Sequence, residues 1–154
     1  MDEGAMIPAV AVTMADGAVV AMDSLAVPLV VYFYPKDDTT GCTREAQDFS
    51  TLAEAFADAG VSVLGVSKDT PDAHGKFTAK HGLRVTLASD LDGAACAAFG
   101  VWGEKSLYGR KYMGIERATF LFDGAGRLAR SWRKVRVPGH AQAVLDAAKA
   151  LPER

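Results

Sequence analysis

The run Leu29-Val30-Val31-Tyr32-Phe33-Tyr34 constrains this chain more than any other segment. Successive apolar and aromatic side chains with no polar alternation fit a strand buried on both faces, the kind found at the centre of a layered α/β sheet. Pro35 ends the strand, because proline has no N–H to give to a central ladder. Past the polar stretch that follows, Phe49, Leu52, Ala53 and Phe56 fall at helical spacing and Gly60 supplies a stop, which predicts a helix over about Thr43–Ala59. Cys42 therefore stands where a strand hands over to a helix N-terminus. Free N–H groups and the positive end of the helix dipole stabilise a thiolate at such a place.

The remaining segments complete a mixed sheet. Val10 to Met14 and Val19 to Met22 flank Ala15-Asp16-Gly17-Ala18, which reads as a hairpin turn. Val61 to Val66 is a second apolar strand. Thr70-Pro71 is an N-cap followed by proline at the first helical position, opening a helix that ends at Gly82. Val85 to Ala88 is a short strand, and Asp92 to Phe99 a short helix stopped by Gly100. Ala118 to Asp123 and Arg127 to Trp132 are strands around Gly124-Ala125-Gly126, and a last helix follows Pro138 and runs to about Leu151. The first half needs a parallel crossover and the second an antiparallel hairpin. A mixed α/β sheet with helices on both faces and an N-terminal hairpin is the layout of a thioredoxin-like fold. With no repeat or long linker, a single domain over residues 1–154 is expected, with residues 1–5 loose.

Bulk properties exclude several functions. A formal charge of −2 argues against a nucleic-acid partner. The basic residues of Arg127 to Arg136 are interleaved with Leu128, Ala129, Trp132 and Val135 and read as a solvated strand edge. The acidic start Met1-Asp2-Glu3-Gly4 lacks the basic and apolar regions of a signal peptide. The longest apolar run, Leu25 to Tyr34, is broken by Pro28 and is too short to cross a bilayer. A cytoplasmic protein with no membrane partner is expected, its two cysteines, Cys42 and Cys96, kept reduced.

Cys42 is the candidate nucleophile. Gly41 before it and the polar Thr43-Arg44-Glu45 after it do not suit a core position, and Pro35 with Asp37-Asp38 points to a constrained surface loop. The Thr39 hydroxyl, in the same loop, is placed to donate to the sulfur or to a bound oxygen. Arg117, directly before the strand Ala118–Phe122, is the best candidate for a cation held at a strand end. Taken alone, Arg117 reads equally as a surface ion pair and Thr39 as a turn or cap residue. The histidines, His74, His81 and His140, carry no flanking signature of a catalytic base and read as solvated helix or loop residues. No metal-ligand spacing and no Gly-rich phosphate loop is present.

Pro35-x-x-x-Thr39-x-x-Cys42 resembles the active-site signature of the peroxiredoxins. The longer stretch Phe33 to Ala46 resembles the bacterioferritin-comigratory-protein (PrxQ) branch. Similar blocks continue in order through Val63–Asp69, Phe99–Lys105 and Tyr112–Leu121. The resemblance implies a thiol-dependent peroxidase for hydrogen peroxide and organic hydroperoxides that needs no cofactor, metal, haem or flavin. Cys42 would be the peroxidatic nucleophile, Thr39 and Arg117 would hold the peroxide and the sulfur, and Pro35 would shield the pocket. The resolving cysteine found in many members of the branch is absent: Gln47 stands at one usual position, and Phe77-Thr78 mark the other. Cys96, among alanines, reads as a buried structural residue. A one-cysteine mechanism resolved by an external thiol (thioredoxin, a glutaredoxin or a small thiol) is therefore implied, with a Cys42–Cys96 bridge as the minority alternative. The chain lacks the C-terminal extension of the ring-forming members, so a monomer is expected rather than a dimer. Two further readings compete: a redox sensor in which Cys42 is only a switch, and a thioredoxin-like disulfide reductase, which would want a cysteine where Thr39 stands.

Overall fold

The computed structural model describes residues 1–152. Its centre is the apolar run, here β3 (Leu29–Phe33), every residue of which is buried. Leu29, Val31 and Phe33 point into one hydrophobic cluster, and Val30, Tyr32 and Tyr34 into another on the opposite face. This is the two-faced burial that uninterrupted apolarity requires.

β3 pairs in parallel with β4 (Ser62–Ser67), which pairs in parallel with β5 (Thr86–Ser89). On its other side β3 runs antiparallel to β8 (Ala118–Phe122), and β8 to the edge strand β9 (Leu128–Trp132). β1 (Ala11–Met14) and β2 (Val19–Ala21) form the N-terminal hairpin, and β1 joins the sheet beside β5. The strand order is β2-β1-β5-β4-β3-β8-β9. Helices α1 (Thr40–Thr51), α2 (Ala53–Asp58), α3 (Pro71–His81) and α5 (His140–Lys149) contribute to the Tyr32 side of the core. α4 (Ala94–Ala98) packs on the other side, with Ala95 and Cys96 beside Phe99. The mixed thioredoxin-like sheet with helices on both faces is thus as the sequence predicts.

Several expectations need correction. The helix predicted over Thr43–Ala59 begins earlier, at Thr40, because Thr39 is extended (φ −87°, ψ 156°) and serves as its N-cap. It then breaks at Leu52, where ψ is 6°. Thr51 turns its hydroxyl back onto the Gln47 carbonyl at 2.9 Å, a bond that bends helices, and Ser50 Oγ accepts from the Arg84 N–H. The segment between Val101 and Arg117 carries a hairpin that periodicity did not reveal, β6 (Trp102–Leu107) with β7 (Arg110–Ile115). Its two arms are mostly exposed on both faces, so no alternation marks them. Its turn is a Tyr108-Gly109 pair with both φ values positive (50° and 78°), the conformation two-residue hairpin loops favour. The start of the chain is tied down at Gly4 and Ala5, not loose there: the Gly4 N–H donates to the Leu128 carbonyl and the Leu128 N–H to that of Ala5, both at 2.8 Å.

The basic residues around β9 are engaged locally. Arg130 lies over the Trp132 ring at 4.6 Å, and Arg133 binds Glu116 and the Gly100 carbonyl. No described helix is long and apolar enough to cross a membrane.

Candidate active site

The turn between β3 and α1 delivers Cys42 to the first turn of α1. The lowest intrahelical bond of α1 runs from the Thr43 N–H to the Thr39 carbonyl at 2.8 Å. The N–H groups of Thr40, Gly41 and Cys42 have no acceptor among the described residues. They are the orphan donors every helix start exposes. The Thr39 side chain does not cap them, for its hydroxyl donates to the Lys36 carbonyl at 2.9 Å. In this arrangement Thr39 therefore differs from the expected donor to sulfur: its one proton is committed, and its oxygen is left as an acceptor. Pro35 is exposed at the end of β3, and Lys36, Asp38 and Thr39 are exposed with it.

Cys42 itself corrects the surface-loop expectation. The loop is on the surface, but the thiol is only 2 % exposed, because starting α1 at Thr40 turns this side chain onto the sheet. Arg117 reaches it from the start of β8, with Nη2 donating to Cys42 Sγ at 3.3 Å. The approach is close to the residue before the cysteine as well: a Cβ on Gly41 would sit 3.2 Å from Arg117 Nη2, so the guanidinium would have to give by a few tenths of an ångström.

Sequence reasoning missed the third member of this group. Glu45, one helical turn past Cys42, is 1 % exposed and accepts from Arg117 Nη1 at 2.6 Å through Oε1, while Oε2 has no partner among the described residues. Burial pushes the Glu45 carboxyl up to about 7, even against the opposing charge of Arg117. Burial alone would lower the proton affinity of Arg117, but the negative charges of Glu45 and Cys42 outweigh it and raise it further. The guanidinium fork thus serves two acidic groups at once. The signal was a Glu at i+3 from the cysteine on a helix face, unreadable until Arg117 was known to lie between them.

Further polar groups surround this centre. Lys105, from the hairpin strand β6, is a second cation within its field: burial and Arg117 lower its proton affinity, and Cys42 opposes them. The Tyr32 ring stacks on Phe49 of α1 with centroids 4.6 Å apart, its hydroxyl buried without a partner among the described residues. Two of the histidines expected to be solvated are buried. His140 meets Thr119 Oγ1 at 2.8 Å, and burial, helped by Arg117, lowers its pKa to about 4, so it is neutral near pH 7. His74 is 0 % exposed, and its two ring nitrogens meet Asp37 and the Ala88 carbonyl.

Cys96 is not drawn to this centre. It lies in the cluster on the far face of the sheet, while Cys42 lies in the near one. Burial, and then the Asp90 carboxylate beside it, push its thiol far up, out of the reactive range.

A buried thiol at a helix start, a guanidinium on its sulfur and a thioredoxin-like sheet beneath are the marks of the thiol-dependent peroxidases. A profile of the AhpC/TSA family matches residues 4–131. The chain is 52 % identical over 122 residues to peroxiredoxin Bcp of Xanthomonas campestris, covering 79 % of this chain and 76 % of that protein. It is 47 % identical over 126 residues to peroxiredoxin Bcp of Bacillus subtilis, covering 82 % and 80 %. A solved structure of the bacterioferritin comigratory protein of Xanthomonas campestris, from work on its alkyl peroxide reduction activity, superposes with a TM-score of 0.88 at 44 % identity over 97 % of this chain and 98 % of that one. The chain belongs to the AhpC/TSA family, in its Bcp (PrxQ) branch of peroxiredoxins, and is a thiol-dependent peroxidase.

Proposed function

We propose that Cys42 is the thiol that reduces peroxide, with Arg117, Thr39 and Pro35 as its partners. The observation that carries this is the Arg117 Nη2 to Cys42 Sγ bond of 3.3 Å at a helix start where the Thr40, Gly41 and Cys42 N–H groups have no acceptor among the described residues. The thiolate sulfur attacks the terminal oxygen of a hydroperoxide in line with the O–O bond. The S–O bond forms, the O–O bond breaks, and the electron pair leaves with the second oxygen, which takes a proton to become water or an alcohol. Sulfur is oxidised to sulfenic acid and the peroxide is reduced. Negative charge moves from sulfur toward the leaving oxygen, where Arg117 and the Gly41 and Cys42 N–H groups can follow it with little rearrangement. The Thr39 oxygen accepts the hydroperoxide O–H, the role its committed proton leaves it. Pro35 covers the loop end of the site. Hydrogen peroxide and organic hydroperoxides are the substrates.

The cycle closes through an external thiol, a thioredoxin, a glutaredoxin or a small thiol. One molecule condenses with Cys42–SOH to give a mixed disulfide and water, and a second releases the reduced enzyme and a disulfide. The sheet between Cys42 and Cys96, and the inert state of the latter, favour this one-cysteine route over an internal bridge. We read the chain as one catalytic domain over residues 1–154, acting as a monomer in the cytoplasm.

Mass analysis after one equivalent of hydrogen peroxide tests the scheme, alongside turnover with a thiol donor. A gain of about one oxygen mass on Cys42 is expected, with no loss of two hydrogens. Cys42→Ser should abolish turnover and Cys96→Ser preserve most of it. An internal disulfide, or turnover retained by Cys42→Ser, would overturn the scheme.

A further inference from the structure

One buried polar group lies outside the chemistry described so far. It joins the loop before Cys42 to helix α3 and to the ends of all three parallel strands. Asp37, five residues before Cys42, is its hub. Its Oδ1 accepts from the Tyr34 hydroxyl at 2.5 Å, its Oδ2 meets His74 Nδ1 at 2.7 Å, and its backbone N–H donates to Asp69 Oδ2 at 2.9 Å. Asp69 Oδ2 also accepts from Ser67 Oγ at 2.6 Å, and Ser67 Oγ accepts from the Asp69 N–H at 3.1 Å. His74 Nε2 meets the Ala88 carbonyl at 3.0 Å. Tyr34 follows β3, Ser67 ends β4, and Ala88 belongs to β5.

Proton counting defines what this group is. A carbonyl oxygen carries no hydrogen, so His74 Nε2 must be the donor to Ala88. A nitrogen and a carboxylate oxygen 2.7 Å apart need a second proton between them, whichever atom holds it. The Asp37–His74 pair therefore has no net charge, and its ring nitrogens and carboxylate oxygens are all bonded. Ligand atoms of Asp37, Asp69 and His74 lie within 4.8 Å of one another, a spacing a cation would accept. Here His74 Nδ1 and Asp37 Oδ2 bond each other, and Asp69 Oδ2 accepts from the Asp37 N–H and Ser67 Oγ, so the cluster is read as a brace.

What it braces is the approach to the reacting thiol. Asp37 and Asp38 form the turn that leads through extended Thr39 into α1, and Asp38 sits in the left-handed region at φ 61°. α3 grips this turn twice. His74 holds Asp37 from inside, and Lys80 and His81 hold the Asp38 carboxylate from outside at 2.7 and 2.8 Å. The exposed grip is the weaker of the two in water, while the buried one is not screened.

We propose that His74 is a positioning residue for the peroxide reaction: acting through Asp37, it sets the β3–α1 turn that holds the α1 N–H groups and the Cys42 sulfur in register with Arg117. The inference rests on Cys42 being the reacting thiol.

Two conservative substitutions separate positioning from mere stability. An asparagine amide lies near the place of Nδ1, so His74→Asn keeps a donor to Asp37 and loses the Ala88 bond. A glutamine amide lies near the place of Nε2, so His74→Gln keeps the Ala88 bond and loses Asp37. Both lose one buried bond and should melt at a lower temperature than the parent, His74→Gln the lower because its loss leaves a buried carboxylate oxygen unpaired, so the rates are compared at a temperature where both are folded. Stopped-flow oxidation of Cys42 by hydrogen peroxide should slow more than about tenfold in His74→Gln, as expected when misplacement weakens preorganised donors, and far less in His74→Asn. Reduction of the oxidised protein by dithiothreitol, which needs no such register, should be unaffected in both. Tyr34→Phe removes the hydroxyl that donates to Asp37 Oδ1 and lies 3.4 Å from His74 Nδ1, leaves the Asp37–His74 bond in place, and should slow oxidation in the same direction by a smaller factor. Equal oxidation rates in His74→Asn and His74→Gln, or a parent-like rate in Tyr34→Phe, would overturn the proposal. Turnover retained by Cys42→Ser in the same assays would instead strike the assignment of the reacting thiol, and the positioning role with it.

Discussion

At the scale of single residues, the proposed chemistry turns on one guanidinium shared by two acids. Arg117 bonds Glu45 at 2.6 Å and Cys42 at 3.3 Å, so the cation on the thiol is itself held by a buried carboxyl. Arg117→Ala removes the donor on the sulfur and should slow oxidation by more than tenfold, in line with the roughly 2–4 kcal/mol lost when one oxyanion donor is deleted. Arg117→Lys, which keeps the charge but not the fork, should fall between. Stopped-flow rates with hydrogen peroxide check both. Glu45 makes a distinct prediction about pH. Its folded-state pKa is raised to about 7 by burial, so the native protein holds this proton more tightly than the unfolded chain does. The stability it contributes is fully present below the ordinary carboxyl range and is lost as pH rises through about 7. Denaturant titrations of the parent protein and of Glu45→Gln should show the parent losing stability relative to the variant over that window, with a constant difference above it. A difference independent of pH would contradict the raised value.

At the scale of elements, the site is a matter of where α1 starts and what lies under it. Tyr32 of β3 supports Phe49 of α1, and it fits only because Gly65, its cross-strand partner on β4, has no side chain. A Cβ there would lie 2.6 Å from the Tyr32 ring and 2.8 Å from Leu87 Cδ2. Gly65→Ala should therefore cost about 1–3 kcal/mol, the usual price of overpacking a core, and show as a lowered melting temperature. A melting temperature equal to the parent's would mean that the ring can move aside freely. Sequence patterning revealed the elements whose pattern is one-sided or strongly apolar, β3, β4, α3 with its Thr70 cap, and β8. It did not reveal the β6–β7 hairpin, whose solvated arms carry no period, or the break at Leu52, which depends on hydroxyls bonding backbone several residues away. The candidate site was legible in part for the same reason. Cys42 and Arg117 stand beside strong local landmarks, whereas Glu45, Lys105 and the burial of His74 and His140 depend on contacts between segments distant in sequence.

At the scale of the whole molecule, the sheet acts as a wall. Leu29, Val31 and Phe33 face the cluster that encloses Cys96, and Val30, Tyr32 and Tyr34 face the one that encloses Cys42. The helices that flank the candidate site, α1 and α3, lie together on the second side, joined at the β3–α1 turn. The two thiols are therefore enclosed in opposite halves of the fold, with the sheet between them. On the one-cysteine route proposed above, the oxidised form of this protein has no internal clock. How long each sulfenate persists, and so how often it meets a second peroxide before it is repaired, would then be set by the supply of small or protein thiols in the surrounding solution.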